Sequence, residues 1–392
     1  MLDVQKTISE PSIWVLQTDK MGDTNNRLAI AEAVSSDVTL VNLRDFGDIE
    51  AYIQQTYDVS DVADFQGWPD IFITCEQTSL QVAKDIKVLG DGAVFIAGLQ
   101  APDIDSNNFD DPLFSEYFDM QILFAHLASS HQMSVLGTAA KRYLYDFVPS
   151  PITQEKLDRA TIPNEISMLK EEYGSVYMMT LGSLVHSVEA FGHDDIESSS
   201  QEFKIVEHSL RFMMKEVVAA AAENGVAIAV TTSPRTGELF SSIIEEELNG
   251  IPHFCHDWKS DRENPYLGML AASDHLIVTG DSISMVADAI ATNKPVHVYE
   301  PSRFLHSAQG RLKDSFRQTD LLKPEVRDYM AKVAGYGLVL PLSSIGEPME
   351  LRRKGSNPSG LIGRDLMNTW QAFKASYAFV EPVDPESPVA EK

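Results

Sequence analysis

At 392 residues and 44% hydrophobic content, the chain exceeds what one core usually organises and can fill two, so wholesale disorder is excluded. A formal charge of -27 repels nucleic-acid backbones and anionic lipid, and no block of Lys and Arg offsets it locally. The 2 cysteines, Cys75 and Cys255, are too far apart in sequence to suggest a disulfide framework or a metal-ligand spacing, which fits a reducing compartment. The opening MLDVQKTISEP carries neither an export nor an organelle pattern, and no apolar run approaches ~18 residues, so a cytoplasmic protein without a transmembrane segment is expected.

From the start, short apolar runs alternate with helix-like segments. Strands are predicted over 13–16, 38–41, 70–74 and 93–97, with helices over 25–35, 45–55 and 78–88 between them. Continuous apolar strands with intervening helices imply a mainly parallel sheet covered on both faces. A polar stretch with prolines, 148–172, reads as the linker. A second series follows, with strands over 176–179, 226–231, 253–255, 275–278 and 295–299 and helices over 202–224, 237–248, 265–272 and 284–291. A further helix is predicted over 363–375.

The expected fold is therefore α/β, with two doubly wound Rossmann-like domains facing across a cleft. The domains are placed at 1–165 and 166–345, with a loop and helix at 346–379 packing back near the junction. The acidic tail 380–392 is expected to be disordered.

Ligands of open α/β sheets bind at the carboxyl ends of the strands. The most informative such end is Thr279-Gly280-Asp281-Ser282-Ile283-Ser284, where a strand runs into a helix. Gly280 would let the backbone approach a ligand, the helix start offers unpaired amides to a pyrophosphate, and Ser282 and Ser284 add hydroxyls. Asp288, one turn beyond Ser284, could accept the hydroxyls of a ribose. The competing reading is that Asp281 or Ser282 only caps the helix and Asp288 lies on a solvated face. The Asp281 carboxylate would also repel a phosphate unless hydrogen-bonded away.

In the first domain, Thr18 to Asn26 follows the opening strand. Asp19 or Asp23 is a candidate general base there and Lys20 a candidate anion contact, whereas a capping role for Asp23 or Thr24 fits the same residues. His126 in an apolar setting is a structural histidine or an acid/base group.

Asn264-Pro265-Tyr266-Leu267-Gly268-Met269-Leu270-Ala271, followed by Val278-Thr279-Gly280-Asp281-Ser282-Ile283-Ser284-Met285, resembles the signature of the ELONGATED MITOCHONDRIA (mitochondrial fission ELM) family. Thr231-Thr232-Ser233-Pro234-Arg235-Thr236 is similar to its TSRRT-type loop, with Pro234 where the first Arg is usual. The resemblance implies a GT-B glycosyltransferase-like fold and a donor-nucleotide site comprising Gly182, Ser183, Arg235, Thr236, Asn264, Tyr266, Gly280, Asp281, Ser282, Ser284, Met285 and Asp288. Asp288 stands where Glu is usual, and Thr180 to His186 keeps one glycine of an expected pair. His126 stands where the family has Pro-x-His-Asp, and Lys141 or Arg142 follows its Gly-Ala loop.

The function so implied is metal-independent sugar transfer from a nucleotide diphosphate sugar co-substrate to an unknown acceptor, with no tightly bound cofactor. Arg235 and the amides of 282–284 would hold the diphosphate. The alternative is a catalytically degenerate scaffold that recruits a protein partner, and a basic partner would suit the acidic surface. Epimerisation on the same fold would need an acid/base pair across the sugar ring, which the residues do not place.

Overall fold

A computed structural model describes residues 10–18, 21–75, 79–99, 117–127, 141–182, 201–233, 236, 238–260, 263–300, 324–345 and 357–377. The chain divides into two compact units, 1–149 with 358–392 and 150–357.

The first unit contains β1 (Ile13–Gln17), α1 (Met21–Glu32), β2 (Val38–Asn42), α2 (Ile49–Tyr57), β3 (Ile71–Cys75), α3 (Leu80–Leu89), β4 (Phe95–Leu99), β5 (Met120–Phe124) and β6 (Lys141–Tyr145). All pairings are parallel, in the order β2-β1-β3-β4-β5-β6. Each residue of β3 and β4 is buried, as apolar runs covered on both faces require. Trp14, Phe72 and Ile96 pack with Tyr52 and Ile53 of α2 and Ile86 of α3 to form the core on one face.

The second unit contains α4 (Gln154–Asp158), α5 (Asn164–Tyr173), β7 (Val176–Thr180), α6 (Gln201–Asn224), β8 (Ala227–Thr231), α7 (Glu238–Glu247) and β9 (His253–His256). It continues with α8 (Tyr266–Ala272), β10 (His275–Thr279), α9 (Ile283–Ala291), β11 (Val296–Tyr299), α10 (Pro324–Gly335) and β12 (Leu340–Pro341). Its parallel sheet has the order β12-β11-β10-β7-β8-β9. Met179, Val230 and Ile277 pack against Leu210, Met214 and Val217 of α6 and Phe240 and Ile244 of α7.

Both sheets are doubly wound, as expected. The path runs outward from β1 to β2 and resumes at β3 on the other side; it runs from β7 to β9 and resumes at β10. The switch points, where loops diverge and leave a crevice at the carboxyl ends, are β1/β3 and β7/β10.

Some local expectations need correction. The linker stretch contains α4 and α5, because Thr153 caps α4 by accepting from the Lys156 amide. Lys141 and Arg142 belong to β6, a strand absent from the expected set, and Arg142 Nε donates to Gln121 Oε1 on β5 at 2.6 Å. The last helix, α11 (Ser359–Tyr377), groups with the first unit. There Tyr145 Oη donates to Asp365 Oδ2 at 2.7 Å, and Tyr143 Oη lies 2.9 Å from Thr369 Oγ1. The tail 380–392 lies outside the described residues.

At the amino end of the second sheet, His275 Nδ1 and His297 Nε2 lie 3.1 Å apart with their rings stacked at 17°. Burial first, then the neighbouring His275, pulls His297 down to about 4.

Candidate functional site

The β7/β10 switch point is held by a set of hydrogen bonds between strand ends. The Gly182 amide, just past β7, donates to Thr279 Oγ1 at the end of β10 over 2.8 Å. Thr236 Oγ1 donates to the Leu181 and Gly182 carbonyls at 2.9 and 3.0 Å, and accepts from the Ser233 amide at 3.0 Å. The loops after β7, β8 and β10 are thereby cross-tied. A Cβ at Gly182 would overlap the Asp281 carboxylate, so the single glycine retained here serves close packing between the two sides of the switch point.

The α9 start lies at the same edge. Ser282 is the N-cap residue, with φ -112° and ψ 96°, and among the described residues its side chain makes no capping hydrogen bond. The structure therefore does not show the simple Ser282 cap that the sequence also allowed. The amides of Ile283, Ser284 and Met285 are the orphan donors of this helix, and these three residues are partly exposed. Asp281, at 2% exposure, sits against Gly182 below them.

Gly280, expected to let a ligand approach, has a packing role. A side chain there would meet Val298 Cγ1 at 3.1 Å and the Tyr299 carbonyl at 3.2 Å, so its smallness seats β10 against β11.

Asp288 differs from expectation more sharply. It is on the helix that carries Ser284, but the carboxylate is 7% exposed, and Oδ1 accepts from Ser150 Oγ at 2.6 Å while Oδ2 accepts from Tyr266 Oη at 3.3 Å. Those partners occupy the oxygens that a ribose would use. Burial pushes the carboxyl up to about 6 against the lowering effects of Ser150, Tyr266 and Lys156, and burial beside Asp288 pushes the Tyr266 hydroxyl well above its ordinary value. Asn264, also expected at the nucleotide, accepts the Tyr266 amide on Oδ1 at 3.0 Å and so shapes the entry to α8. Gly268 lets α8 press on the 161–163 backbone, where a Cβ would overlap the Thr161 carbonyl. Much of the Asn264 to Asp288 signature is thus packing and helix-entry chemistry.

Asp288 and His297 oppose each other in pH. A carboxyl whose pKa rises on folding stabilises the fold below its unfolded value of 3.8, and that contribution is lost as pH rises through about 6. A histidine held down at about 4 stabilises the fold above 6.5, and that contribution is lost as pH falls through about 4. Shifts of this size correspond to about 3 kcal/mol each, as upper bounds on the effect. Relative to wild type, Asp288→Asn should become more stable as pH rises through this window, and His297→Gln more stable as pH falls. Urea midpoints at pH values of about 4.5 and 6.5 test both, and parallel profiles for the three proteins would contradict the assignment.

In the first unit, Asp23 lies in the first turn of α1 and attracts Arg27 electrostatically. Thr24 does not cap the helix; its Oγ1 accepts the Thr18 amide at 3.1 Å and clamps the loop. His126 is buried in the turn after β5, its ring stacked on Phe124 with centroids 6.0 Å apart. Asp23 follows β1 and His126 follows β5, and β3 and β4 lie between those strands, whose ends are roughly 14 Å apart by sheet spacing. Asp19, Lys20, Ser183 and Arg235 lie outside the described residues. Ser150 is a contributor that sequence reasoning missed, and the tie of Thr279 to Gly182 was not legible either, because each hydroxyl has a partner distant in sequence. Among the described residues, no group of three or more His, Cys, Asp or Glu could hold a metal ion, and no helix is long and apolar enough to cross a membrane.

Comparison with known proteins agrees with this frame. Residues 198–333 match the family model described as Mitochondrial fission ELM1. The Mitochondrial fission protein ELM1 of Arabidopsis thaliana is 23% identical over 288 residues, covering 70% of this chain and 58% of its own length, so the chain spans under two thirds of that relative. An uncharacterized protein of Rickettsia prowazekii is 21% identical over 311 residues, covering 75% of this chain and 84% of its own length. Among solved structures, one described as a UDP-N-acetylglucosamine 2-epimerase from Listeria monocytogenes superposes with a TM-score of 0.50 at 11% identity, covering 95% of this chain and 98% of its own, which shows the fold alone. In its sequence, then, the chain is similar to the mitochondrial fission ELM1 family over residues 198–333 and to a curated relative over most of its length, and in its fold to a pair of Rossmann-like sheets of the GT-B kind.

Proposed function

We propose that the second unit binds the diphosphate of a nucleotide-sugar at the α9 start and that the protein transfers the sugar to an acceptor without a metal. The observation that carries this reading is the orphaned amide set of Ile283, Ser284 and Met285 beside the β7/β10 switch point, with an N-cap residue whose side chain does not compete for them. Amides and a helix dipole already in place stabilise a departing diphosphate without reorganisation. Ser284 adds a partly exposed hydroxyl, and Arg235 is assigned to the same anion. The first unit is assigned the acceptor, with Asp19, Asp23 or His126 as the base.

A scaffold reading is favoured by one feature: the buried carboxylate of Asp288 is engaged with the protein's own groups, and the buried Asp281 places negative charge near the α9 start. In that reading the fold is kept and a protein partner, not a sugar, is the ligand.

A thermal-shift panel of UDP, GDP, ADP and CMP separates the two. The sugar-transfer reading expects stabilisation by at least one diphosphate, reduced in Ser284→Ala, and donor turnover once an acceptor is supplied. Absence of any nucleotide shift supports the scaffold.

A further inference from the structure

The first unit holds a buried cation that the nucleotide reading does not use. Arg27, on α1, is 1% exposed, and its guanidinium reaches the carboxyl end of β1 at the β1/β3 switch point. Nε donates to the Leu16 carbonyl at 3.0 Å, and Nη2 donates to Thr18 Oγ1 at 3.0 Å and Thr24 Oγ1 at 3.3 Å.

These acceptors, a carbonyl and two hydroxyls, satisfy donors without supplying negative charge. The electrostatic neighbours are Cys75, at the end of β3, and Asp23, one turn back on α1. Among the described residues no carboxylate forms an ion pair with Arg27, and its hydrogen bonds to them leave from Nε and Nη2. Charges withdrawn from water cost several kcal/mol unless paired, and at Arg27 the cost of burial outweighs the attraction of Cys75 and Asp23. A purely structural clamp on the loop would need only neutral donors.

We infer that the first unit carries an oxyanion subsite in which Nη1 of Arg27 meets a carboxylate or phosphate group of a bound small molecule. Thr18 and Thr24 orient the guanidinium from behind by accepting from Nη2. Arg presents a planar donor pair that matches either anion, whereas Lys would present a point charge. If the first unit receives the acceptor, that acceptor carries such a group; the subsite itself does not depend on the nucleotide assignment.

The test titrates inorganic phosphate and acetate into the full chain by calorimetry, in an Ile283→Pro background that removes one α9 amide, and locates tungstate in crystals of the wild-type protein. The inference expects one of the two anions to bind, with affinity at least tenfold weaker in Arg27→Gln and partly kept in Arg27→Lys, and tungstate within hydrogen-bond reach of the guanidinium. Binding of phosphate alone assigns a phosphate ligand, and binding of acetate alone a carboxylate. Anion binding unaffected by Arg27→Gln, or tungstate seated only elsewhere, overturns it. Should Arg27→Gln fail to fold, the tungstate position in the wild-type protein still decides.

Discussion

Gly268→Ala lowers the unfolding free energy by roughly 1–3 kcal/mol, the range typical of forced overpacking. Helix propensity alone argues the other way, because replacing a mid-helix glycine with alanine gains about 1 kcal/mol. Sterics decide the sign. A Cβ at 268 would overlap the Thr161 carbonyl and approach Pro163 Cδ to 3.1 Å. The obstacle is backbone, so relief means shifting α8 away from the 161–163 segment, and α8 carries the Tyr266 hydroxyl to Asp288. Gly360→Ala is the internal control: it lies in α11 with nothing within 4 Å of its added Cβ, so propensity acts alone and stability is unchanged or slightly higher. Urea denaturation of both variants checks the pair, and equal effects would refute the packing account.

Ile283→Pro weakens binding of a nucleoside diphosphate by about tenfold or more while leaving the fold intact, since one hydrogen bond to a charged group contributes roughly 1.5–3 kcal/mol. Position 283 is the first helical residue of α9, where proline's fixed φ suits the helix and its missing N–H breaks no intrahelical bond. Ser282 before it is already extended, at φ -112° and ψ 96°, as a residue preceding proline prefers. The substitution therefore deletes one donor aimed at the proposed anion and little else. Calorimetry with the best nucleotide of the panel, beside an unfolding curve, reads both effects. Unchanged affinity in a folded variant removes the α9 amides from the site.

Both sheets were legible because their central strands are continuous apolar runs, such as Ile71–Cys75 and Ala227–Thr231, which have no exposed face to imprint a polar alternation. β5 was missed although all of Met120–Phe124 is buried, and β6 was missed too, since Lys141–Tyr145 is a half-exposed edge strand that begins with two cations, while β12 spans only 2 residues. The α9 start was legible for a local reason: a strand, a glycine and a polar cap succeed one another within a few residues. What escaped was set by distance along the chain. Helical spacing correctly put Asp288 near Ser284, but only Ser150, 138 positions away, turns its carboxylate inward. Gly182 likewise meets Thr279 across 97 positions. Asn264 is the exception, because an Asn before Pro-Tyr at a helix entry has a local capping chemistry readable without the fold.

The most direct test follows the backbone amide resonances of Ile283, Ser284 and Met285 during titration with UDP, GDP or ADP. Saturable movement of those three resonances with at least one nucleotide, diminished when the nucleoside replaces its diphosphate, is the predicted result. Resonances that stay in place while a nucleotide binds elsewhere, or while none binds at all, would contradict the claim that this helix start receives a diphosphate.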